Sequence, residues 1–373
     1  MEPPAQSKPH DLFGERRNSF FLVRRSPFFI TIYWQVVGRL RPHPALRTTF
    51  PRPGEGFRCV ISSKKVYPTV YTRRKERKYP TMTVFFSQLI NGLSLGSIYA
   101  LIALGYSMVY GIILLLNFAH GDVIMVGAYM SWFVMNQLGL GPVTAVCATI
   151  ITCTLLGVVI EKIAYTPLRS APRISLLITA IGVSFFLEYT AELILGSGAK
   201  VIPAYYTNQT FRLGKVPLGL TSIITLVVTV LSMLVLTFLV QKTKLGKAMR
   251  AVSEDMDAAR LMGINVNSTI SFTFAVGSAL AGIGSVLYCC SYPQATPTMG
   301  SMLGLKAFVA AVLGGIGSIP GAMIGGIAIG LCECFVSAIG LSAWKDAVTF
   351  AILIIVLLVK PTGFLGRKVQ EKV

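Results

Sequence analysis

Residues 218–241 read LGLTSIITLVVTVLSMLVLTFLVQ, a run of 24 positions that contains no charged side chain. About 20 apolar residues in a helix cross the roughly 30 Å hydrocarbon core of a bilayer. Because lipid offers no hydrogen-bond partners, the backbone of such a run must satisfy its own amides and carbonyls, and an α-helix does so. This stretch therefore predicts a membrane-spanning helix.

Further apolar runs of this kind follow one another from residue 84 onward. They cover positions 84–108, 111–137 with a polar interruption, 143–164, 174–196, 268–289, 303–318, 321–340 and 346–360. None of them shows the alternating ten-residue pattern of an outer-membrane β-barrel. The predicted fold is all-α, a polytopic transmembrane bundle of about 8–9 spans that includes one broken helix.

The composition of the chain agrees with this prediction. Of its 373 residues, 53% are hydrophobic and 13% are charged, whereas soluble domains carry roughly 25% charged residues. This excludes an ordinary soluble domain. We expect membrane lipid around the chain and no nucleic acid partner. The seven cysteines show no metal-ligand spacing, so we predict no metal site and no cofactor.

The N-terminal segment 1–81 differs from the rest of the chain. Residues 1–80 carry 17 Lys or Arg residues and five Asp or Glu residues. The longest apolar stretch in the segment is too short to span a bilayer. We interpret 1–81 as a basic, disordered extension upstream of a true start at Met82, and 82–373 as the membrane domain. An organelle transit peptide and a polybasic arm on anionic lipid remain alternatives.

Cations in short loops predict the orientation of the spans, because such loops face the cytoplasm. Within 82–373, the segment that follows the run 218–241 and the C-terminal end are rich in cations, and we place both in the cytoplasm. Residues 197–217 then face the outside. The cations concerned are Lys242, Lys244, Lys247, Arg250, Arg260, Arg367, Lys368 and Lys372.

The segment 243–265 also contains the signals of a short capped helix. Ser253 is a candidate N-cap, followed by Glu254 and other acids at the positive end of the helix dipole. Gly263 occupies the position of a left-handed C-cap. These signals predict a helix over 254–262.

The same segment has an apolar stripe at helical spacing. It consists of Met249, Val252, Met256 and Ala259. A capped helix that is apolar on one side and charged on the other suits docking in the groove of another protein. A solvated connector is the alternative interpretation.

A polar break interrupts the run 111–137. It contains Asn117, His120, Gly121 and Asp122. Such a break is tolerated where protein or a water-filled cavity satisfies it, and a helix starting near Gly121 could offer free amides to a substrate carboxylate. The break therefore lines a translocation path, or its polar side chains hydrogen-bond one another as a structural clasp.

Charged residues also occur inside other apolar runs. Glu188, Glu192 and Glu333 should face protein or water, because a charge in mid-bilayer costs about 2.5–3.5 kcal/mol. Lys306 lies near the end of a run, and we expect it to extend to the lipid headgroups.

Glycines recur every four residues in two places. Small residues at this spacing allow close helix packing in lipid. We expect a glycine-rich hairpin near Pro320, packed deep in the bundle. The glycines concerned are Gly317, Gly321, Gly325, Gly326 and Gly330, with a further pair at Gly92 and Gly96.

Several of these stretches together resemble a known family. Asp257, Ala258 and Ala259, followed after three residues by Gly263, are similar to the EAA-x3-G coupling loop of ABC importer permeases, with Asp in place of Glu. The other matching stretches are Asn117–Asp122 with Gly127–Tyr129, Val312–Ser318 with Gly321, Gly325 and Gly326, and Gln88–Leu93 with Gly96 to Gly105. In this order they resemble the LivH-type permease subunits of bacterial branched-chain amino acid ABC importers.

The resemblance implies a multi-pass subunit of the bacterial inner membrane. Its partners would be cytoplasmic ABC ATPases, a second, LivM-like permease subunit and a periplasmic amino-acid-binding protein. The segment 243–265 would hold the coupling helix, with Glu254, Asp257, Ala258, Ala259 and Gly263 as the ATPase-coupling residues. The sequence contains no G-x4-G-K-[ST] motif, so it lacks a P-loop for ATP and we do not expect an enzyme.

The sequence has three alternative functional interpretations. A permease of the same family could carry urea, short amides or another amino acid. An ion-coupled secondary transporter would use buried acids such as Glu188. A membrane enzyme is disfavoured, because the sequence has no HExxH motif and no clustered Ser, His and Asp signature.

Overall fold

The structure is a computed structural model that describes residues 81–113, 117–169, 171–206, 210–213 and 216–366. The extension predicted over 1–81 lies outside these residues except for its last position. The C-terminal cations at 367, 368 and 372 lie outside them as well.

The described part of the chain is built mainly from helices. In chain order they are α1 (Thr81–Ile113), α2 (His120–Trp132), α3 (Pro142–Ile160), α4 (Arg173–Leu195), α5 (Leu220–Lys242), α6 (Lys244–Glu254), α7 (Met256–Leu261), α8 (Val266–Ser291), α9 (Met299–Gly314), α10 (Ile319–Ala338) and α11 (Lys345–Val359). Single π-helical turns extend α2 over Phe133–Gln137 and α3 over Glu161–Tyr165, and a 3₁₀ turn over Ser342–Trp344 precedes α11. The predicted all-α class is confirmed.

Four short strands lie between the helices in the described part of the chain. β1 (Lys200–Val201) pairs antiparallel with β4 (Gln294–Ala295), with Lys200 opposite Ala295. β2 (Thr210–Leu213) pairs antiparallel with β3 (Val216–Gly219), with Thr210 opposite Gly219. The first pair ties the segment after α4 to the segment after α8.

Each predicted apolar run contains a helix in its described part, although positions 218 and 219 belong to β3 and not every helix reaches full membrane length. Among the described residues, seven helical segments are long and apolar enough to cross a membrane. Two runs form shorter helices, since α2 has 13 residues and α9 has 16. The broken helix and the short α9 therefore account for the eighth and ninth predicted spans.

Helix α1 lies at the centre of the bundle. Its residues Leu101, Ile102 and Leu104 are fully buried. By contrast, the outer helices α4 and α11 expose large apolar side chains such as Phe186 and Leu358. In a bilayer such side chains face lipid or another subunit.

Small residues allow α1 and α10 to lie against each other. A Cβ atom added at Gly96 would lie 2.7 Å from Ile327 Cα, and one added at Gly330 would collide with the backbone of Gly96. Gly326 is in the same position against the backbone of Ala100. The two helices therefore meet backbone to backbone.

The hairpin near Pro320, formed by α9 and α10, also depends on glycines. Gly317 lies in the turn between α9 and α10 with a φ of +86°, a conformation that favours glycine. In α10, Gly321 faces the backbone of Gly314, and Gly325 faces the backbone of Ala310. Gly317 thus serves the turn, while Gly321 and Gly325 serve the contact between the helices.

The expectation that Lys306 extends to the headgroups is wrong. Its Nζ lies 2.9 Å from Glu333 Oε1 and 2.7 Å from Asp346 Oδ1. Tyr99 donates a hydrogen bond to Glu333 at 3.0 Å, and Thr349 donates another at 3.1 Å. Lys306 is buried because these acids offer it a better partner than a distant headgroup. The cluster joins α1, α9, α10 and α11.

The cation-rich loop and several turns lie at one end of the bundle. Gly111 at the end of α1 packs on Gly317 in the α9–α10 turn, and Gly105 packs on Gly277 in α8. The C-terminal segment reaches the same turn, where the Phe364 N–H donates to the Leu313 carbonyl at 2.9 Å. Since α8 starts directly after the segment 243–265, the predicted cytoplasmic segments share this end.

Candidate functional site

The segment 243–265 folds as two short helices, α6 and α7, with Asp255 between them. The Asp255 Oδ1 atom accepts hydrogen bonds from the Asp257 and Ala258 backbone N–H groups at 2.9 and 3.0 Å. Asp255 is therefore the N-cap, and the prediction of Ser253 as the cap is wrong. Ser253 lies in the last turn of α6, where its hydroxyl donates to the Arg250 carbonyl at 2.7 Å.

The end of α7 is closed by glycine, as its sequence indicates. Gly263 has a φ of +81°, and its N–H donates to the Arg260 carbonyl at 3.0 Å. The Ile264 N–H donates to the Ala259 carbonyl, also at 3.0 Å. This pair of bonds is a Schellman motif, which satisfies the last carbonyls of the helix.

A Gly263→Ala substitution should loosen this helix end. A side chain is disfavoured at a φ of +81°, so we expect a cost of about 1 kcal/mol. Amide exchange within α7 should then accelerate about fivefold, measured by hydrogen–deuterium exchange and mass spectrometry on the protein in nanodiscs. An unchanged exchange rate would show that the cap does not stabilise α7.

The apolar stripe of this segment faces inward. Met249, Val252 and Ala259 are buried in the main hydrophobic core of the chain, and Met256 packs against that core. The interpretation that this stripe docks in a partner's groove is therefore wrong. It attaches the two helices to the chain's own bundle.

A different surface of α7 remains exposed. Leu261 and Met262 are 89% and 82% exposed, and Asp257 and Arg260 form an exposed ion pair at 3.1 Å beside them. Of the residues predicted to couple to an ATPase, Ala259 is buried, whereas Glu254, Asp257, Ala258 and Gly263 are exposed. We call Leu261 and Met262 with their charged neighbours Asp257 and Arg260 the α7 tip.

A buried ion pair lies at the base of this segment. Glu161, at the end of α3, is fully buried and pairs with Arg169. Ser271 of α8 donates to Glu161 Oε2 at 2.6 Å, and Arg169 donates to Asn267 at 2.5 Å. The cluster ties the loop after α3 to the first turns of α8. This pairing was not predicted, although an acid at the end of an apolar run is its signal in the sequence.

The polar break before α2 is deeply buried. Asn117 accepts a hydrogen bond from the Tyr165 hydroxyl at 3.0 Å. His120 packs edge to face on Tyr106 with ring centroids 4.7 Å apart, and Asp122 accepts a bond from Ser184. Among the described residues, these three side chains thus contact other helices rather than bonding one another, as a clasp would require.

The backbone at the break is also committed to internal contacts. The amides of His120 and Asp122 donate to the Asn117 and Ala119 carbonyls, both at 3.1 Å, so in this conformation they are not free to bind a carboxylate. Gly121 lies against the backbone of Gly300 and Gly304 in α9. The starts of α2 and α9 therefore meet inside the bundle.

A second polar contact lies next to this meeting point. Ser301, in the first turn of α9, donates to Glu188 Oε2 of α4 at 3.2 Å. Ser184, which donates to Asp122, lies four residues before Glu188 on α4 and therefore on the same helix face. The structure thus brings Asp122, Ser184, Glu188 and Ser301 together from three helices. The sequence indicates the two acids separately, but the two serines were not predicted, because single serines in apolar helices carry no distinguishing pattern.

Comparison with known proteins assigns the chain to a family. The family model described as "Branched-chain amino acid transport system / permease component" matches residues 88–357. The chain belongs to this family. The match includes the broken helix, the α7 tip and the hairpin near Pro320, so the resemblance seen in the sequence is confirmed.

Individual members of the branched-chain amino acid permease family resemble the chain over most of its length. The permease protein BraD of the high-affinity branched-chain amino acid transport system of Pseudomonas aeruginosa is 44% identical over 307 residues, which cover 79% of this chain and 100% of BraD. LivH of Escherichia coli K12 is 44% identical over 302 residues, covering 78% and 98%. A probable LivH of Methanocaldococcus jannaschii is 28% identical over 283 residues, covering 71% and 88%. No solved structure matches the chain.

Proposed function

We propose that the chain is the membrane-spanning permease subunit of an ABC importer that moves branched-chain amino acids across the bacterial inner membrane. The observation that carries this proposal is the α7 tip, an exposed apolar end on a helix whose opposite face is built into the bundle. The relatives of the chain, BraD and LivH, are named as high-affinity branched-chain amino acid permeases. Their names support the proposed substrate class.

The position of the α7 tip allows a conformational change in a partner protein to displace the helices connected to α7. The Asn265 side chain caps α8 by accepting from the Ser268 N–H at 3.1 Å, so only residues 262–265 separate α7 from α8. The Glu161 cluster joins the start of α8 to the end of α3. Displacement of α7 by a closing ATPase pair would therefore move α8 and α3 together.

An importer of this kind requires partner proteins for energy, for the path and for delivery of the substrate. Cytoplasmic ATPases bind the α7 tip, with Glu254, Asp257, Ala258 and Gly263 in the contact and Ala259 holding the helix in place. A second permease subunit completes the path, and a periplasmic binding protein delivers the amino acid. The break at Asn117, His120, Gly121 and Asp122 borders the path, and these residues are buried in this conformation.

Reconstitution tests the proposed function. The chain alone in liposomes should not accumulate leucine, whereas the complex with its ATPases, second permease and binding protein should accumulate it when ATP is supplied inside. Radiolabelled leucine uptake measures both, and urea serves as the competing substrate. Uptake by the chain alone, driven by a proton or sodium gradient, would identify a secondary transporter and contradict the proposal.

A Leu261→Glu substitution should separate folding from coupling. Leu261 is 89% exposed, so the bundle should fold normally, but a charge in an apolar contact should weaken ATPase binding by at least tenfold, since buried unpaired charges are costly. Co-purification of the ATPases with the permease measures the effect.

An Ile339→Glu substitution is the matched control. Ile339 is 77% exposed but follows α10, at the end of the bundle opposite to the α7 tip. This variant should retain its ATPases. Equal loss of ATPases in both variants, or full retention in both, would exclude the α7 tip as the contact.

A further inference from the structure

The buried carboxylates of this chain differ in whether a cation accompanies them. Glu161 pairs with Arg169, and Glu333 pairs with Lys306. Asp122 is fully buried and Glu188 is partly buried, yet within the described residues neither has a Lys, Arg or His partner. Buried charges in proteins are normally paired. The Asp122 and Glu188 carboxylates therefore differ from Glu161 and Glu333, because no cation from the described residues neutralises them.

The Asp122 carboxylate is only half satisfied. One oxygen accepts the Ser184 hydrogen bond, while Oδ1 is buried with no hydrogen-bond partner among the described residues. That oxygen points toward the first turn of α9, because a Cβ added at Gly300 would lie 2.9 Å from it. An unpaired acceptor in such a place is destabilising, and more so when it is charged.

Glu188 contacts the same turn of α9. It accepts from Ser301 at 3.2 Å, and Ser301 directly follows Gly300. On α4, Ser184 and Glu188 are four residues apart and therefore lie on one helix face. The two carboxylates thus converge on Gly300 and Ser301, and within the described part of the chain the hydroxyl groups of Ser184 and Ser301 bind them.

The helix that contributes Glu188 lies at the edge of the bundle. Its outer face exposes Phe185, Phe186 and Tyr189, and its inner face meets α2 and α9 through the two serine–carboxylate bonds. The site consequently lies between a peripheral helix and the starts of two helices inside the bundle. In membrane transporters, interrupted helices commonly form substrate sites at such starts.

We infer that Asp122 and Glu188 form a cation site that binds the α-ammonium group of the amino acid during its passage. The inference rests on the proposed function, because it takes an amino acid as the cargo. An ammonium group supplies three N–H donors and one positive charge, which match the unpaired Oδ1 and the missing counter-charge. Ser184 and Ser301 position the two carboxylates.

The experiment uses the assembled importer in proteoliposomes and compares Asp122→Asn, Glu188→Gln and Glu192→Gln. The first two variants should assemble with their partners and retain ATPase stimulation by the leucine-loaded binding protein. Their leucine uptake per ATP hydrolysed should fall at least tenfold. Glu192→Gln removes the same charge one turn further along α4 and should leave uptake within about twofold of the wild type.

Ser184→Ala distinguishes cation binding from a structural bond. It removes the hydrogen bond from Ser184 to Asp122 but keeps the Asp122 charge. Uptake should therefore be at least fivefold higher than in Asp122→Asn. Equal loss in both variants, or failure of both carboxylate variants to assemble, would assign the carboxylates to packing and overturn the inference.

Two further outcomes would also overturn it. Normal uptake by Asp122→Asn would show that a neutral side chain suffices, as it would if the acid were permanently protonated. Loss of wild-type uptake when sodium and potassium are replaced by N-methylglucamine would assign the site to an inorganic cation. Failure of the wild-type importer to accumulate leucine at all would contradict the proposed function instead, so the two failures are distinguishable.

Discussion

Replacing Lys306 by Met is expected to destabilise the bundle by about 3–5 kcal/mol, the usual cost of removing one partner from a buried ion pair. Lys306 contacts both Glu333 and Asp346, at 2.9 and 2.7 Å. Met fills a similar volume but carries no charge. The variant therefore leaves two carboxylates without a cation between α10 and α11. The fraction that stays monodisperse after heating in detergent, followed by size-exclusion chromatography, measures the loss.

Lys345→Met is the control for this prediction. Lys345 is exposed at the start of α11, so its loss should leave the melting temperature almost unchanged. A triple variant, Lys306→Met with Glu333→Gln and Asp346→Asn, should regain part of the stability because it leaves no unpaired charge. Wild-type stability of Lys306→Met alone would show that the cluster is not an ion pair that the fold depends on.

A Gly330→Leu substitution should prevent the bundle from folding. The space beside Gly330 is occupied by the backbone of Gly96, and backbone atoms cannot move aside as a flexible side chain can. The added side chain must therefore separate α1 from α10, which removes the packing that holds helices together in lipid. Expression of a fluorescent fusion and its elution profile in detergent measure the folded fraction.

Gly182→Leu provides the matched comparison. Gly182 lies within α4, and a Cβ there would meet no heavy atom within 4 Å. Leu also has the better helix propensity, so this variant should express and elute like the wild type. Similar behaviour of the two variants would contradict close packing of α1 on α10.

Much of the fold could be predicted because each span carries its own evidence. A run such as 218–241 is apolar at nearly every position, and its helical state follows from the solvent rather than from its neighbours. The glycine spacing at 326 and 330 likewise indicated a close helix contact. It could not indicate the partner helix, since any helix with small residues would fit.

The sites were less predictable, because they depend on contacts between distant parts of the chain. Ser253 and Asp255 are both good N-caps, and the choice between them depends on where α6 ends. The stripe through Met249 and Ala259 has the same spacing whether it faces a partner or the chain's own core. Lys306 could be placed only once Glu333 and Asp346 were known to lie beside it.

The sequence by itself thus determined that this protein is a helical membrane protein, which segments become helices, and which family it resembles. These properties are local, because hydrophobic runs and short motifs are read residue by residue. Only the tertiary structure decided which charges are paired. It showed that, among the described residues, Glu161 and Glu333 each meet a cation, whereas Asp122 and Glu188 accept hydrogen bonds from serine hydroxyl groups and pair with no Lys, Arg or His. Pairing depends on distances between helices, and no stretch of sequence encodes those distances alone.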